Sequence, residues 1–472
     1  MPGARSRLPP TRRTSIVSRP WLHRHVQNLT TFAARTYYRI RVAGVEIPST
    51  GPVLLVANHP NSLLDPALVA IAASRPVRWL ARSGLFEQRD IGWLIRGSGA
   101  IPVYRASDDP ELTSRNREMF AAAHAALQGG DAVGVFPEGV SHSGPSLQPL
   151  KTGAARIALG AAAGSALEIP IYPVGLTFRG GKERFRSEAL LLVGSPIRWG
   201  DLAATGEDAP GAVRELTRRI EEGLNRVTVN LESWDDFPIV EGAEAIHHAE
   251  YGRGRSRNPV RWLARMRRTA TTLDRARRAD RERHDRLAGD IVEYIRLLDS
   301  LGLRPRDLHQ VPKAAVAARW TIKNVAFFGL AAPLALVGTL VFLAPYQLLA
   351  RMEKRFDLPP DKLATYKVLG GTIAFGGWVL ILAALLREFA GWRPALAALA
   401  LLPLLGLLTL AIRDRWEDAA ADLRRFLLLR GRRDLRHGLL ERQSELAARI
   451  RRLQQELAPP DAHRPSNPPA RP

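Results

Sequence analysis

The residue types able to do chemistry gather in one short stretch, Val53 to Pro66, which reads VLLVANHPNSLLDP. An apolar run ends in Ala57-Asn58 and delivers His59, and a carboxylate, Asp65, follows within one or two helical turns. Such a pair can make a base. The carboxylate accepts the N–H of one ring nitrogen, sets the tautomer, and stabilises the imidazolium formed when the other nitrogen takes a proton. A lone histidine after a strand is more often structural, so its neighbours matter. Asn58 and Pro60 flank it, and Asn61 and Ser62 are turn and cap formers.

Three further blocks carry side chains suited to an anionic substrate. In Gly99-Ala-Ile-Pro-Val-Tyr-Arg105 a strand pattern ends on Tyr104 and Arg105, and a guanidinium can hold a phosphate through two parallel charge-assisted bonds. In Val135 to Ser143 a Pro137-Glu138-Gly139 turn directly after a buried strand exposes backbone amides and a carboxylate. Glu138 can hold an acceptor hydroxyl or fix the turn. Ser141, His142 and Ser143 follow, and Lys151 opens the next helical pattern, where a phosphate is favoured. The block Ile169-Pro-Ile-Tyr-Pro-Val-Gly175 is a strand interrupted by prolines, which reads as a sheet edge or a wall of the site.

The same residues limit the alternatives. Without a Gly-x-Ser-x-Gly elbow, a serine hydrolase built on Ser141 and Ser143 is a weak rival. With no cysteine in the chain, catalytic thiols, disulfides and thiolate metal sites are excluded. Neither a metal-ligand cluster nor a glycine-rich nucleotide fingerprint is evident, so no metal and no bound cofactor are expected.

The elements that must position these groups form an α/β pattern. Val53–Ala57, Val77–Ala81, Ala100–Tyr104, Ala132–Phe136, Ile169–Phe178 and Ala189–Val193 are strand-like, and Glu111–Gln128, Thr152–Ala163 and Ala212–Asn230 have helical spacing. The expected fold class is a mixed sheet flanked by helices, followed by a helical membrane region. His59 and Glu138 both fall just past strand ends, where open α/β sheets bind ligands.

Along the chain, residues 1–20 read as a disordered lead-in, and 21–240 as the α/β domain. The latter opens on an amphipathic helix, Trp21 to Arg41, which either packs on the core or lies on a membrane surface. No apolar segment follows Arg12-Arg13, so neither a secretory nor a twin-arginine signal is expected, and the first 300 or so residues should stay where they are made. Residues 235–258 are polar and glycine-bearing, a candidate boundary, and 241–320 read as a basic helical linker. There, 13 arginines stand against four acids between Arg253 and Arg286, either as a solvated face or on anionic headgroups.

Residues 321–412 hold two or three hydrophobic segments: Ile322–Ala350, Val368–Leu386 and Pro394–Ile412, each near the roughly 20 residues that cross a bilayer. Arg and Lys crowd the segment before the first, the loop from Arg351 to Lys367, and the tail after Ile412. Three full crossings cannot place all of these on the cytoplasmic side. Either the first run, interrupted by Pro333 and Pro345, is re-entrant or in-plane, or the loop charges are overruled. The second and third runs read as a hairpin. In the tail, 413–472, Leu435, Leu439, Leu446, Ile450, Leu453 and Leu457 form a stripe suited to docking or to a homodimer. With 68 Lys and Arg against 46 Asp and Glu, the net charge of +22 points to an anionic partner, nucleic acid or phospholipid.

At the four blocks the chain resembles the glycerolipid acyltransferase superfamily, which includes glycerol-3-phosphate and lysophosphatidic acid acyltransferases. Asn58-His59 to Asp65, Gly99 to Arg105, Phe136 to Gly139 and Ile171 to Pro173 match its motifs in order, over roughly residues 35–235. Two departures stand out. Five residues separate His59 from Asp65 where the usual number is four, and Val140-Ser141-His142-Ser143 replaces the usual Thr-Arg-Ser. Both are similar to the fungal glycerol-3-phosphate and dihydroxyacetone phosphate branch, which also carries C-terminal membrane helices.

The resemblance implies a membrane-anchored O-acyltransferase whose catalytic domain faces the cytoplasm. It implies His59 and Asp65 as the catalytic pair, and Asn61, Arg105, Glu138, Gly139, Ser141 and Lys151 at the acceptor. The acceptor is glycerol 3-phosphate or a related glycerophosphate, with a lysophospholipid as the alternative. The donor is acyl-CoA or acyl carrier protein. Membrane lipids, not nucleic acid, then account for the positive charge, and a non-enzymatic lipid-binding protein is the rival of another class.

Overall fold

The structure, a computed structural model, describes residues 22–89, 91–104, 116–163, 169–252, 258–309, 314–353 and 360–457. They form two compact units. The first holds the described residues up to Ser141 together with Pro149–Phe178 and Glu188–Val227; the second holds His142–Gln148, Arg179–Ser187 and those from Thr228 onward.

The first unit is built on a seven-stranded sheet of β1 (Arg39–Gly44), β2 (Val53–Ala57), β3 (Val77–Arg82), β4 (Ile101–Val103), β5 (Ala132–Val135), β6 (Ile171–Arg179) and β7 (Glu188–Val193), in the order β1-β7-β6-β2-β5-β3-β4. β2 runs parallel to both neighbours, pairing Val56 with Val135 of β5 and with Pro173 of β6. Every residue of β2 is buried, as expected of a parallel strand covered on both faces. β6 and β7 are joined directly without a crossover, which a parallel pair does not allow, so the sheet is mixed.

Helices α1 (His23–Tyr37), α2 (Leu64–Ala73), α3 (Gly84–Glu87), α4 (Gly92–Gly97), α5 (Asn116–Gln128), α6 (Gly153–Ala162) and α7 (Pro210–Val227) complete the unit. α7 shows why such segments are helical. Val213, Leu216, Ile220, Leu224 and Val227 recur at helical spacing and are buried, while Glu215, Arg218 and Arg219 pair on the opposite side.

Two expectations change here. The first helix ends at Tyr37, and Arg39–Gly44 is a strand rather than its continuation. This edge strand is held by parallel pairing to β7 and not by burial, so no apolar run betrays it. Gly44, at φ +104°, comes so close to β7 that a Cβ would fall 1.9 Å from the Val193 carbonyl oxygen. The proline-interrupted block is interior, because β6 lies between β7 and β2. Pro173 fits there because its carbonyl still accepts the Gly194 N–H at 2.8 Å while its ring fills space left by Gly194 and Gly223.

In the second unit α8 (Asp236–Tyr251), α9 (Pro259–Ala279), α10 (Arg281–Ser300), α11 (Ala314–Val341), α12 (Leu343–Glu353), α13 (Pro360–Ala390), α14 (Trp392–Gly431) and α15 (Arg433–Glu456) follow in order. The stretch expected to be a polar boundary is largely α8, whose Val240, Ala243 and Ile246 are buried; Gly242 lets Ile291 and Ile295 of α10 approach. α8, α9, α10 and α15 share one core. Met266, Leu273 and Ala276 of the basic stretch face it, and its arginines pair with acids of this unit: Arg265 with Glu244, Arg277 with Asp236, Arg283 with Glu456 at 2.8 Å. The stripe of α15 that suits a partner helix is covered within the chain, with Leu439, Leu446, Ile450 and Leu453 packed among Ile291, Tyr294 and Leu298. Tyr294 donates to the Leu439 carbonyl at 3.1 Å, and burial pushes its phenol pKa up.

Residues 316–341, 362–390 and 392–431 lie in helices long and apolar enough to cross a membrane. α13 and α14 pack together as a hairpin about Gly391, at φ +88°.

Candidate active site

β2 and β5 lie side by side, so the segments that leave their carboxyl ends meet. Asn58 first prolongs the sheet: its side-chain amide donates to the Leu176 carbonyl at 3.1 Å and accepts the Leu176 N–H at 2.7 Å. The chain then turns. Ser62 adopts φ +50°, and the Leu64 and Asp65 N–H groups bond back to the Asn61 and Ser62 carbonyls. α2 starts at Leu64, which puts Asp65 in its first turn, where the helix dipole attracts negative charge.

This turn brings the predicted pair together. Nδ1 of His59 lies 2.8 Å from Oδ2 of Asp65, and the same oxygen accepts the Asn61 N–H at 2.7 Å. Asp65 is fully buried, while the His59 side chain keeps 18% of its surface exposed. A carboxylate only accepts, so Nδ1 carries the hydrogen and Nε2 is left with the lone pair. The arrangement can take a proton from a substrate at Nε2 and return it.

Glu138 completes the support. It is buried, and its Oε1 accepts the backbone N–H of His59 at 2.9 Å. This bond ties the two loops together. The imidazole also lies flat on Phe136, with centroids 3.9 Å and planes 6° apart, and Phe136 in turn stacks on Trp79 at 4.7 Å and 12°. Trp79 lies over Gly134, where a Cβ would stand 2.6 Å from the indole.

The remaining predicted residues divide. Ser141 Oγ accepts the Ser62 N–H at 2.9 Å, tying the two turns together. Gly139, at φ +72°, leaves room for the stem of the exposed Lys151, whose backbone N–H bonds to the Pro137 carbonyl at 2.8 Å. Asn61 is in the interior: it is fully buried and its Nδ2 lies 2.7 Å from the Tyr38 hydroxyl. Arg105 lies outside the described residues; just before it, Asn116 bonds both the N–H and the carbonyl of Tyr104, at 3.0 and 2.7 Å. Ser143 Oγ accepts from Lys182 at 2.8 Å, and His142 Nδ1 accepts the Gly144 N–H at 3.0 Å. Among the described residues no group of three His, Asp or Glu is placed to hold a metal ion.

Tyr38 and Trp79 are supports that lie outside the four sequence blocks. A glycine inside the strand Ala132–Val135 is the one signal that pointed to Trp79, since glycine in a strand marks a close approach.

Comparison with known proteins bears on this geometry. Residues 39–177 match the family model described as Acyltransferase, a span that contains His59, Asp65, Arg105, Glu138 and Pro173. The chain is 28% identical over 281 residues to glycerol-3-phosphate O-acyltransferase 2 of Saccharomyces cerevisiae, covering 57% of this chain and 36% of that protein. It is 32% identical over 126 residues to glycerol-3-phosphate O-acyltransferase 1 of the same yeast, covering 26% and 16%. It is also 27% identical over 242 residues to an uncharacterised protein of Mycobacterium leprae, covering 42% and 62%. The matches thus span about a third and a sixth of the length of the two yeast proteins. Among solved structures, the 1-acyl-sn-glycerophosphate acyltransferase PlsC of Thermotoga maritima aligns with a TM-score of 0.32 at 18% identity, covering 43% of this chain and 78% of that one.

Over residues 39–177 the chain is therefore similar to the acyltransferase family, and beyond that span to parts of the yeast proteins. Both yeast relatives carry the name glycerol-3-phosphate O-acyltransferase.

Proposed function

We propose that this protein transfers a fatty acyl group from an acyl thioester to a hydroxyl of glycerol 3-phosphate or a related glycerophosphate. The observation that carries the reading is the buried Asp65 on Nδ1 of His59, within the span that matches the acyltransferase family. Nε2 of His59 takes the proton of the acceptor hydroxyl as its oxygen attacks the thioester carbonyl. The tetrahedral intermediate then collapses, the C–S bond breaks, and the imidazolium gives its proton to the departing thiolate. The products are an ester and a free thiol of CoA or acyl carrier protein, and no acyl-enzyme forms.

Asp65 orients the base, and Glu138 holds the backbone beneath it. Gly139, Ser141, Lys151 and Arg105 serve the phosphorylated acceptor, the cations by charge and Gly139 by opening room beside Lys151. Asn61 acts through the loop it braces. The domain works on the cytoplasmic face, a placement supported by the Arg- and Lys-rich segments that flank the apolar helices.

The test is a panel of glycerol 3-phosphate, dihydroxyacetone phosphate and lysophosphatidic acid, each offered to the detergent-purified protein with labelled acyl-CoA and with acyl carrier protein. Glycerol 3-phosphate is expected to give the highest kcat/KM. His59→Ala should lower turnover about 100- to 10,000-fold, the usual range for a general base. An unchanged rate in that variant would overturn the mechanism, and preference for lysophosphatidic acid would overturn the acceptor.

A further inference from the structure

By length and composition α11 is a membrane span, yet its packing is not that of one. α13 and α14 supply a ruler, because both run away from Gly391 in step. Phe342, the residue between α11 and α12, has its ring 5.7 Å from that of Phe375 on α13 and lies 3.2 Å from where a Cβ on Gly406 of α14 would stand. Both of those positions are about fifteen residues, or about 23 Å, from the Gly391 turn at 1.5 Å rise per residue. Further from the turn, Phe328 of α11 meets Trp416 edge to face at 5.1 Å, and Arg415 lies over Phe327 at 4.2 Å. α11 therefore passes the charged end of the α14 span near its own midpoint and climbs only to the level of Gly406.

α12 comes back down. Leu349 packs against Gly370 and Gly371 of α13, 3.4 and 3.9 Å from where their Cβ atoms would stand, and these are about 30 Å from the turn. Measured from Lys367 and Arg413, where the apolar runs of α13 and α14 end, Phe342 reaches about 10 Å inward. The hydrocarbon core is about 30 Å thick, so this is less than the depth of one leaflet.

A helix that stops inside hydrocarbon must satisfy the carbonyls it leaves open. Trp378 of α13 does so, donating its indole N–H to the Val341 carbonyl at 2.8 Å. Pro345, in the first turn of α12, brings no N–H to a place where one would go unpaired. Close packing holds the wedge, with Gly338 facing Thr409 so tightly that a Cβ there would clash with its hydroxyl. The outer surface of the inserted part is apolar and bare: Leu340 is 63% and Leu336 60% exposed, with Val337 and Leu348 beside them.

We infer that α11 and α12 form a re-entrant hairpin that enters and leaves through one leaflet, its bare apolar surface lodged among the acyl chains of that leaflet. The chain then crosses the bilayer twice, at α13 and α14. The described basic residues that flank the apolar helices, Arg319 and Lys323, Arg351, Lys362 and Lys367, and Arg413 and Arg415, then fall on one side, which removes the conflict that three crossings create.

The chain has no cysteine, so single cysteines report cleanly. Ser300→Cys, Met352→Cys, Arg393→Cys and Ser444→Cys are placed in turn in the full chain, reconstituted in sealed vesicles, and exposed to a membrane-impermeant maleimide, with detergent-opened vesicles giving the total. Ser300→Cys, Met352→Cys and Ser444→Cys are expected to react from the same side, and Arg393→Cys from the other. Met352→Cys reacting from the side opposite to Ser300→Cys would overturn the inference. A second measurement uses nitroxides at Thr321, Leu340 and Met352: depth should be greatest at Leu340 and shallow again at Met352, whereas emergence of Met352 in the far leaflet would refute the hairpin.

Discussion

Asp65 meets the His59 ring at 2.8 Å even though five residues separate them, one more than the superfamily usually has. Between them Ser62 takes φ +50°, a left-handed conformation that lets the chain turn tightly before α2. Glycine accepts that conformation without strain, and a β-branched residue does not. Ser62→Gly should therefore retain most activity, while Ser62→Val loses about 1–2 kcal/mol of stability and lowers kcat by widening the His59–Asp65 contact. Urea unfolding together with steady-state kinetics on the two variants checks this. Equal kinetics would mean that the turn does not set the pair.

The stack His59–Phe136–Trp79 gives the base a rigid backing that hydrogen bonds alone do not. Phe136→Ala removes the surface on which the imidazole lies, and small misplacements of a reacting group are costly. A fall in kcat of about 10- to 100-fold with little change in acceptor KM is expected. Gly134→Ala acts on the same column from below, because its Cβ would meet the Trp79 ring at 2.6 Å. Overpacking of this kind costs about 1–3 kcal/mol, and here it should also lower kcat. A stability loss with kcat intact would show that Trp79 supports the core and not the site.

Much of this site was legible because it is local. His59 and the Pro137-Glu138-Gly139 turn lie at strand ends, with Asp65 in the first turn of the helix that follows, and strand ends show in apolar runs; β2 occupies the expected residues Val53–Ala57. Contacts between distant elements were not legible. Trp79 on β3 meets Phe136 after β5 only because those strands are neighbours, an order that periodicity does not encode. For the same reason the leucine stripe of α15 showed that a partner exists without showing that the partner is α8 to α10 of the same chain. Composition marked α11 as apolar and could not say how deep it goes.

Asn61 ties the turn after His59 to the first helix's end. Its buried Nδ2 pairs with the Tyr38 hydroxyl at 2.7 Å, and its backbone N–H bonds to Asp65. Tyr38→Phe deletes the hydroxyl and leaves a buried donor unpaired, which costs about 1–3 kcal/mol. Asn61→Ala should cost a similar amount, and the double variant should fall well short of the sum because both lose the same bond. A double-mutant cycle in urea measures this; strict additivity would mean that the bond carries no energy.

His124 gives the first unit an acid-sensitive element away from the site. Burial holds its imidazole pKa below the ordinary value near 6.5, against the opposing pull of Glu207 at 3.7 Å. Gly160 makes room for the ring, since a Cβ there would stand 2.3 Å from it. In the unfolded chain this histidine takes a proton near pH 6.5, whereas in the folded protein it resists to lower pH. Between those values the unfolded state binds more protons, so stability falls as pH drops below about 6.5. Above pH 7.5 the histidine is neutral in both states and contributes no slope. His124→Phe keeps a ring over Gly160 but cannot titrate, so its urea midpoint should decline less between pH 7 and pH 5 than that of the unaltered protein. His247 and His248, whose pKa values are also lowered chiefly by burial, act in the same direction in both proteins and cancel in the difference. Identical pH profiles for the two proteins would remove His124 as a source of acid sensitivity.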